Sequence, residues 1–503
     1  MREKIKGIAK FVAFAVCVVL LIHWIDRTVV AKYMYDHMEP QTLTYEGFYN
    51  MKKDSVDVLI LGTSQAASGL NPQDLYDTRQ IRAYNLASSA QQVWLSYYWL
   101  KEALKYQKPS AVIFECNYLF EDRNFKGAAR KSLDYMRWGP TKAEAVRTSV
   151  ERDTTQQESM ISYVFPFIRF HERWMEMNEW DFNWAEYSNE PSLLKGFWFY
   201  DWHETNDKYE LFAEKSADPN DDALKEVSMA DFEKIYELCR DNGIQLIMVK
   251  TPYHLFTKAC HNEVAAWAEK NAVPFIDFNS EEVFREIGFN YHAEDINSVQ
   301  EFNAHVNYSG ARKMSIYLAD FIADNHYAES TYDEQWENSK AFNDAMYHNF
   351  ELTGTDELEE YLGMLGEDRY TVIITVRKAQ SRLLSDRAVK RLCELGLDET
   401  LCLEMQENCG SNYLAIIDRG KVFREVLSEK DLDYLDSIRR GMVRLRTALY
   451  GSETSGWGSI AFDDSEKMKG NDGLNIVVYD NDRRCVIDSV NFAIESSEAA
   501  ITR

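Results

Sequence analysis

No C-x-x-C pair and no Cys/His cluster occurs among the eight cysteines and ten histidines of this 503-residue chain. That absence excludes structural zinc and thioredoxin-type exchange, which need paired ligands or thiols at short spacing. Positive charge is scarce as well: 56 Lys and Arg stand against 82 Asp and Glu, for a formal charge of −26. Polyanions bind where basic side chains release their counterions, so nucleic acid and broad anionic surfaces are not expected partners. What is abundant is apolar: 45% of residues, with 13% aromatic. A mainly disordered chain is thereby excluded, and the length calls for two or three folded units of about 100–200 residues each. Cys116 and Cys393 sit in apolar runs that read as core. Cys239 with Cys260, or Cys402 with Cys409, are candidates for pairing in an oxidising compartment; free buried thiols are the alternative.

One long apolar run is present, Phe11 to Ile25 (FVAFAVCVVLLIHWI), preceded by Arg2, Lys4, Lys6 and Lys10 and followed by Asp26 and Arg27. Four basic residues before the run, against an Asp-Arg pair after it, predict a single span, with the N-terminus cytoplasmic and the bulk of the chain outside the cell membrane. The strict run falls short of the ~20 residues a bilayer requires, but Ile5 and Ile8 extend it and Lys10 can snorkel. Residues 1–31 thus form the basic tip and the anchor. A cleaved signal peptide ending near Val29-Val30-Ala31 is the competing reading, and it too exports the chain.

From Val56 onward, short continuous apolar runs alternate with longer amphipathic stretches: VDVLIL, IRAYNLA, AVIFEC, IQLIMVK and PFIDF, with helical patterns between them. Such runs suit a parallel sheet covered on both faces, so residues 50–326 are expected to form an α/β, flavodoxin-like three-layer αβα sandwich with about five parallel strands. An aromatic, charged stretch at about 125–225 (FPFIRFHERWMEMNEWDFNWAEYS) breaks this rhythm and predicts a helical insertion, packed as core or overhanging the strand ends as a lid. In the second case its Trp and Tyr rings would stack on sugar faces, with His171 and Arg173 directed at the site. Residues 327–368 are acidic and helical in propensity and predict a solvated connector. Residues 369–503 (YTVIITVR, NYLAIID, LNIVVYD, CVIDSVNF) predict a small mixed α+β domain.

The strongest local signal is Leu59-Ile60-Leu61-Gly62-Thr63-Ser64, a buried strand ending in glycine and hydroxyls. Ligands of open α/β sheets bind at the carboxyl ends of strands, where Ser64 stands; capping of the next helix by Thr63 or Ser64 is the structural alternative. Far along the chain, Asn303-Ala304-His305-Val306-Asn307 precedes the last helix of the sheet, and His305 would supply the base that a serine nucleophile needs. Lys250, ending IQLIMVK, also emerges at that edge, to meet an anion or, by preference, to form an ion pair.

Over residues 50–325 these features resemble the SGNH/GDSL hydrolase superfamily, in particular its membrane-anchored members that modify bacterial envelope polysaccharides and teichoic acids. GTSQAASGLNP is similar to the first family block and NAHVNYSGARK to the last; YNLASSAQQVWLSYYWLKEALKYQKPSAVIFECNYLF looks like the stretch between. The resemblance implies Ser64 as nucleophile and His305 as base. It implies the Ser64 N–H and the Asn117 side chain, or alternatively Gln91, as oxyanion donors, which meet the charge of the tetrahedral intermediate. The family normally places an aspartate two or three residues before the histidine, whereas Phe302 and Asn303 stand here. Asp295, Glu301 or a backbone carbonyl are the replacements.

Residues 369–495 resemble the interleukin-like EMT inducer (GG) domain, chiefly through GLNIVVYDNDRRCVIDSVNF. That resemblance implies carbohydrate binding, with Trp457, Asp480 and Asp488 as candidates; the alternative is that Trp457 packs internally and Asp480 forms a turn with Asn481 and Asp482. Together the resemblances imply a serine O-acetyltransferase or esterase acting on a polysaccharide or teichoic-acid-like glycan, with a multi-pass membrane acyltransferase as acyl supplier and neither metal nor cofactor. A non-catalytic glycan-binding or scaffold protein of the envelope is the alternative.

Overall fold

The computed structural model describes residues 2–29, 41–121, 127–153, 159–170, 172–177, 179–182, 193–203, 213–290, 295, 305–378, 384–407, 410–438, 443–451, 456–493 and 501–503. His171, Glu301 and Asn303 lie outside them. The chain divides into two compact units, Met1–Ala345 and Met346–Arg503.

In the first unit, every continuous apolar run becomes a strand: β1 Val58–Leu61, β2 Ala83–Asn85, β3 Ala111–Glu115, β4 Gln245–Lys250 and β5 Phe275–Asp277. They pair in parallel in the order β2-β1-β3-β4-β5. The order reverses direction between β1 and β3, a switch point where the loops leaving neighbouring strands diverge and open a crevice. Alternate residues of β1, β3 and β4 (Leu59, Leu61, Val112, Phe114, Leu246, Met248) join a core with Trp94, Trp99 and Phe232 from the helices Val93–Ala103 and Glu226–Asp241. The residues between them are equally buried, which explains why these strands read as unbroken apolar runs rather than as alternation.

The N-terminal helix runs Arg2–Val29. Its stretch Ile5–Val29, 25 residues whose most apolar 18-residue window has a mean hydropathy of 2.4 and no buried residue, is long and apolar enough to cross a membrane. The helix therefore continues beyond the strict apolar run.

Two expectations are corrected. The aromatic insertion was expected to pack as core or overhang the strand ends. Its stretch Leu194–Phe199 is indeed buried, yet Ile168, Trp174, Met175 and Phe182 are exposed, on short helical segments (Phe167–Phe170, Arg173–Met175, Glu179–Phe182) beside the end of the N-terminal helix. The acidic stretch 327–368 was expected to be a solvated connector. Its helix Glu334–Gly354 does carry the boundary between the units, but it is not solvated all round, since its first half sinks Trp336 against Tyr76 in the first unit. The many acidic residues occupy the helix's outer faces and mask a buried stripe.

The second unit contains a six-stranded antiparallel sheet: β6 Tyr370–Val376, β7 Asn412–Asp418, β8 Lys421–Ser428, β13 Leu474–Asp480, β14 Cys485–Phe492 and β15 Ile501–Thr502. A four-stranded one comprises β9 Leu432–Ile438, β10 Val443–Gly451, β11 Gly456–Phe462 and β12 Ser465–Glu466. Helices Leu358–Met364, Asp386–Glu394 and Glu399–Glu407 cover one face of the larger sheet, and the smaller sheet covers the other. Cys239 and Cys260 are free thiols, as is Cys402, so the first expected pairing does not form; Cys409 lies outside the described residues.

Truncating Trp336 to Ala is expected to destabilise the first unit by roughly 3–5 kcal/mol, as removal of a fully buried indole does. Trp457→Ala, at a half-exposed position, is expected to stay within about 0.5 kcal/mol of wild type. Urea unfolding followed by tryptophan fluorescence separates the two outcomes.

Candidate active site

β1 ends at Leu61, and Gly62 turns the chain with φ of 152°, where an added Cβ would stand 2.6 Å from the Cβ of Glu115. Only glycine lets the turn lie this close to β3. Thr63 then caps the helix Ser64–Gly69, its Oγ1 accepting from the Gln65 N–H. The capping alternative holds for Thr63, while Ser64 takes no part in it and lines the cleft. At the far end of the sheet, Asn307 caps the helix Tyr308–Asp324 by accepting from the Gly310 N–H, and donates to the Trp202 carbonyl. These bonds fix His305, whose Nε2 lies 2.8 Å from Ser64 Oγ.

His305 is packed edge-on against Tyr200. Burial, with the Lys250 cation adding to it, pushes its pKa down to about 4, so the ring is neutral at physiological pH and Nε2 can accept the serine proton. Its Nδ1 is buried and meets no hydrogen-bond partner among the described residues. Asp295 does not serve it: that carboxylate is committed to Lys313 at 2.7 Å, to the Ser309 hydroxyl and to the Asn290 N–H. Asp295 is thereby corrected from a candidate third member to the clamp that holds the first turn of the last helix.

Beneath the Ser64 turn, Lys250 meets two residues that the sequence had not marked out, Glu115 and Gln65. Its Nζ, fully buried, is 2.8 Å from Glu115 Oε1 and donates to Gln65 Oε1 at 2.6 Å. Glu115 also accepts from the Thr63 hydroxyl and from the Asn117 N–H. The ion-pair alternative for Lys250 is thus the one found, and its role as a substrate contact is withdrawn, since the amine is sealed below the cleft. Glu115 was missed because a single acid at the end of AVIFEC is indistinguishable from an ordinary strand terminus. The available signal was its pairing, one strand over, with a lysine that also ends an apolar strand.

The cleft above holds about 620 Å³ and is lined by Ser64, His305 and Asn117 together with Tyr118, Tyr253 and Phe256. Asn117 thus faces the same space as the reactive pair. Gln91 does not: it is buried, donating to Ser96 and accepting from Ser88 inside its own loop. Arg173 is also absent from the cleft; it binds Asp181 and the Val29 carbonyl at the end of the N-terminal helix. In the second unit, Asp480 accepts from the Asp482 and Arg483 N–H groups and from Asn349, and pairs with Arg369. Asp488 is held by Tyr361 and Arg503. Both carboxylates are buried and internally engaged, so they are removed as glycan contacts. Trp457, 47% exposed and flanked by Tyr450 at 4.8 Å, is the one candidate at the surface. Among the described residues no group of His, Cys, Asp or Glu could hold a metal ion.

Removing one partner of a buried ion pair leaves the other charge uncompensated, at a cost of about 3–5 kcal/mol. Lys250→Met is therefore expected to lower stability by that amount, and Lys250→Met with Glu115→Gln to recover most of it, as measured by urea denaturation.

No family model matches this chain and neither does any curated protein, which leaves the geometry of the Ser64 cleft as the ground for assigning a function.

Proposed function

We propose that the chain is a membrane-anchored, extracytoplasmic serine O-acyltransferase or esterase of the SGNH kind, with its first unit a three-layer αβα sandwich, acting on an envelope or exported polysaccharide. The observation that carries this is the 2.8 Å approach of His305 Nε2 to Ser64 Oγ at the carboxyl end of β1, across 241 residues of sequence. In the proposed step, Ser64 Oγ attacks the acyl carbonyl as His305 Nε2 takes its proton. The bond from the acyl carbon to the donor's leaving group breaks and His305 returns the proton to that group. A sugar hydroxyl, or water, then attacks the acyl-serine by the reverse sequence. The Asn117 amide and the Ser64 N–H, which has no intrahelical acceptor at the first position of its helix, suit the oxyanion. The aromatic rings of Tyr118, Tyr253 and Phe256 suit the apolar faces of a sugar. An N-terminal apolar helix with its basic residues kept inside suits a cleft on the outer side, where such polymers are exposed and a multi-pass acyltransferase would deliver the acyl group.

A second reading, a non-catalytic envelope protein that binds glycan or that acyltransferase, is favoured by one observation. His305 Nδ1 lacks a carboxylate among the described residues, and without one an imidazolium is poorly stabilised.

Fluorophosphonate labelling decides between them. Stoichiometric labelling of wild type, abolished in Ser64→Ala, supports catalysis; no labelling of the folded chain supports the second reading. If the chain hydrolyses a simple acetate ester, Ser64→Ala is expected to cost at least about 10³-fold in kcat/KM. The acid limb of the wild-type profile should fall near pH 4, where Nε2 becomes protonated and can no longer accept, rather than near the ~6.5 of an ordinary histidine.

A further inference from the structure

A second cavity of the first unit, of about 330 Å³, shares no lining residue with the Ser64 cleft. It is lined by His23, Asp26 and Arg27 of the N-terminal helix and by Arg137, Trp138 and Lys142. Most of the charge around it is matched. Arg27 pairs with Glu46 at 2.8 Å, and Asp134 lies between Arg130 and Arg169, while Asp26 accepts from the Phe167 N–H. Five cations (Arg27, Arg130, Arg137, Lys142 and Arg169) thus surround a cavity with three carboxylates (Asp26, Glu46 and Asp134), and among the described residues no ion pair reaches Arg137 or Lys142. Arg137 lies over the Tyr49 ring at 4.2 Å. Lys142 is 3% exposed; its Nζ donates to the carbonyls of Met136 and Asp134 beside the Trp138 ring, and the Asp134 carboxylate, already held by Arg130 and Arg169, acts on it from beyond ion-pair distance. Burial lowers its pKa to about 8, which keeps it charged at neutral pH. An excess of two cations around one cavity is out of character for a chain of charge −26 and calls for an anion.

The same cavity opens beside an apolar surface. Met160, Ile161, Val164, Ile168, Trp174 and Met175 are all more than 40% exposed, on the short helices that follow the cavity wall. These helices are docked on the end of the N-terminal helix by Asp26 accepting from the Phe167 N–H at 2.9 Å and by Arg173 donating to the Val29 carbonyl at 3.1 Å. They therefore begin where the apolar span Ile5–Val29 stops. Amphipathic segments with Trp and Arg at that depth are what a headgroup layer accommodates.

We propose that the surface from Met160 to Met175 lies in the outer headgroup layer of the membrane, and that the adjoining cavity takes the phosphate of an anionic phospholipid between Arg137 and Lys142. The inference rests on Ile5–Val29 crossing a membrane. A patch embedded beside the helix holds the first unit at a fixed tilt and height, so that the Ser64 cleft meets membrane-proximal donors in one orientation.

The test uses the full chain in vesicles of phosphatidylcholine alone or mixed with phosphatidylglycerol. A fluorophore on Trp174→Cys is expected to be quenched by nitroxide-bearing lipid, and the same fluorophore on the exposed control Leu435→Cys is not. Native mass spectrometry of chains released from the mixed vesicles is expected to retain phosphatidylglycerol in preference to phosphatidylcholine. Arg137→Gln should reduce that preference about tenfold, the worth of one charge-assisted hydrogen bond, and Arg137→Lys should keep most of it. Equal quenching at Trp174 and Leu435, or an unchanged lipid preference in Arg137→Gln, overturns the proposal. So does a Trp174→Cys crosslink between two chains in place of quenching, which assigns the patch to a second copy. Displacement of the retained lipid by inorganic phosphate overturns it too, by assigning the cavity to a free anion. If alkaline carbonate strips the chain from the vesicles, the membrane span fails and the inference with it; if the chain stays and Trp174 is unquenched, the inference alone fails.

Discussion

The buried contact between Lys250 and Glu115 is the constraint on which the Ser64 site depends. Two charges leave water at the ends of adjacent parallel strands, β4 and β3, at a desolvation cost that only close mutual contact and full hydrogen bonding can offset. Both conditions are met: the amine has Glu115 and Gln65, and the carboxylate has Lys250, Thr63 and the Asn117 N–H. Apart from the pair itself, each of those partners lies just past the carboxyl end of β1 or β3, on the side of the cleft. The pair thus ties the Ser64 turn after β1, the Asn117 turn after β3 and the end of β4 into one rigid floor. A hydrophobic pair would fill the same space with less cost, but it would not dictate where Thr63, Gln65 and Asn117 point.

The other half of the site is fixed from the opposite direction. His305 comes from a segment nearly 200 residues beyond β3, and its position depends on the Asn307 cap and on Asp295, whose carbonyl accepts from the Asn307 N–H and whose carboxylate holds Ser309 and Lys313. Gly310 belongs to the same device, because a Cβ there would stand 2.5 Å from the Asp295 carbonyl oxygen. Asp295 therefore acts on the base through the backbone that carries it rather than by touching the ring.

The five parallel strands were legible because burial on both faces writes an unbroken apolar run into the sequence, and a run of four to six residues between polar turns has little else to be. Ser64 and His305 were legible because each sits at a punctuated edge, glycine and hydroxyls before one and a cap motif after the other. What escaped was set by partners distant in sequence. Glu115 looks like a strand end until β4 is laid beside β3. Asp480 and Asp488 look like surface acids until Asn349, Arg369, Tyr361 and Arg503 are seen to claim them. Trp336 is one apolar residue in an acidic run, and composition averages it away. The exposed rings of the insertion are the converse case: an aromatic-rich stretch signals burial, and nothing local distinguishes burial in protein from exposure beside an apolar helix.

Under the proposed acyl transfer, the depressed pKa of His305 constrains the substrate as well as the mechanism. A base whose conjugate acid has a pKa near 4 is free of protons at every physiological pH but has little thermodynamic appetite for one. General-base efficiency declines as that gap from the operating pH widens. The Lys250 cation below contributes to the same depression, and no carboxylate among the described residues reaches Nδ1 to counter it. Attack by Ser64 is then supported mainly by the oxyanion donors and by the readiness of the donor to release its leaving group. An activated acyl donor, passed on by a partner enzyme, satisfies that requirement; the alkyl ester of a sugar satisfies it poorly. Within the proposed mechanism, the burial that depresses His305, with Lys250 adding to it, therefore favours transfer of an activated acyl group onto a glycan over hydrolytic removal of one already there.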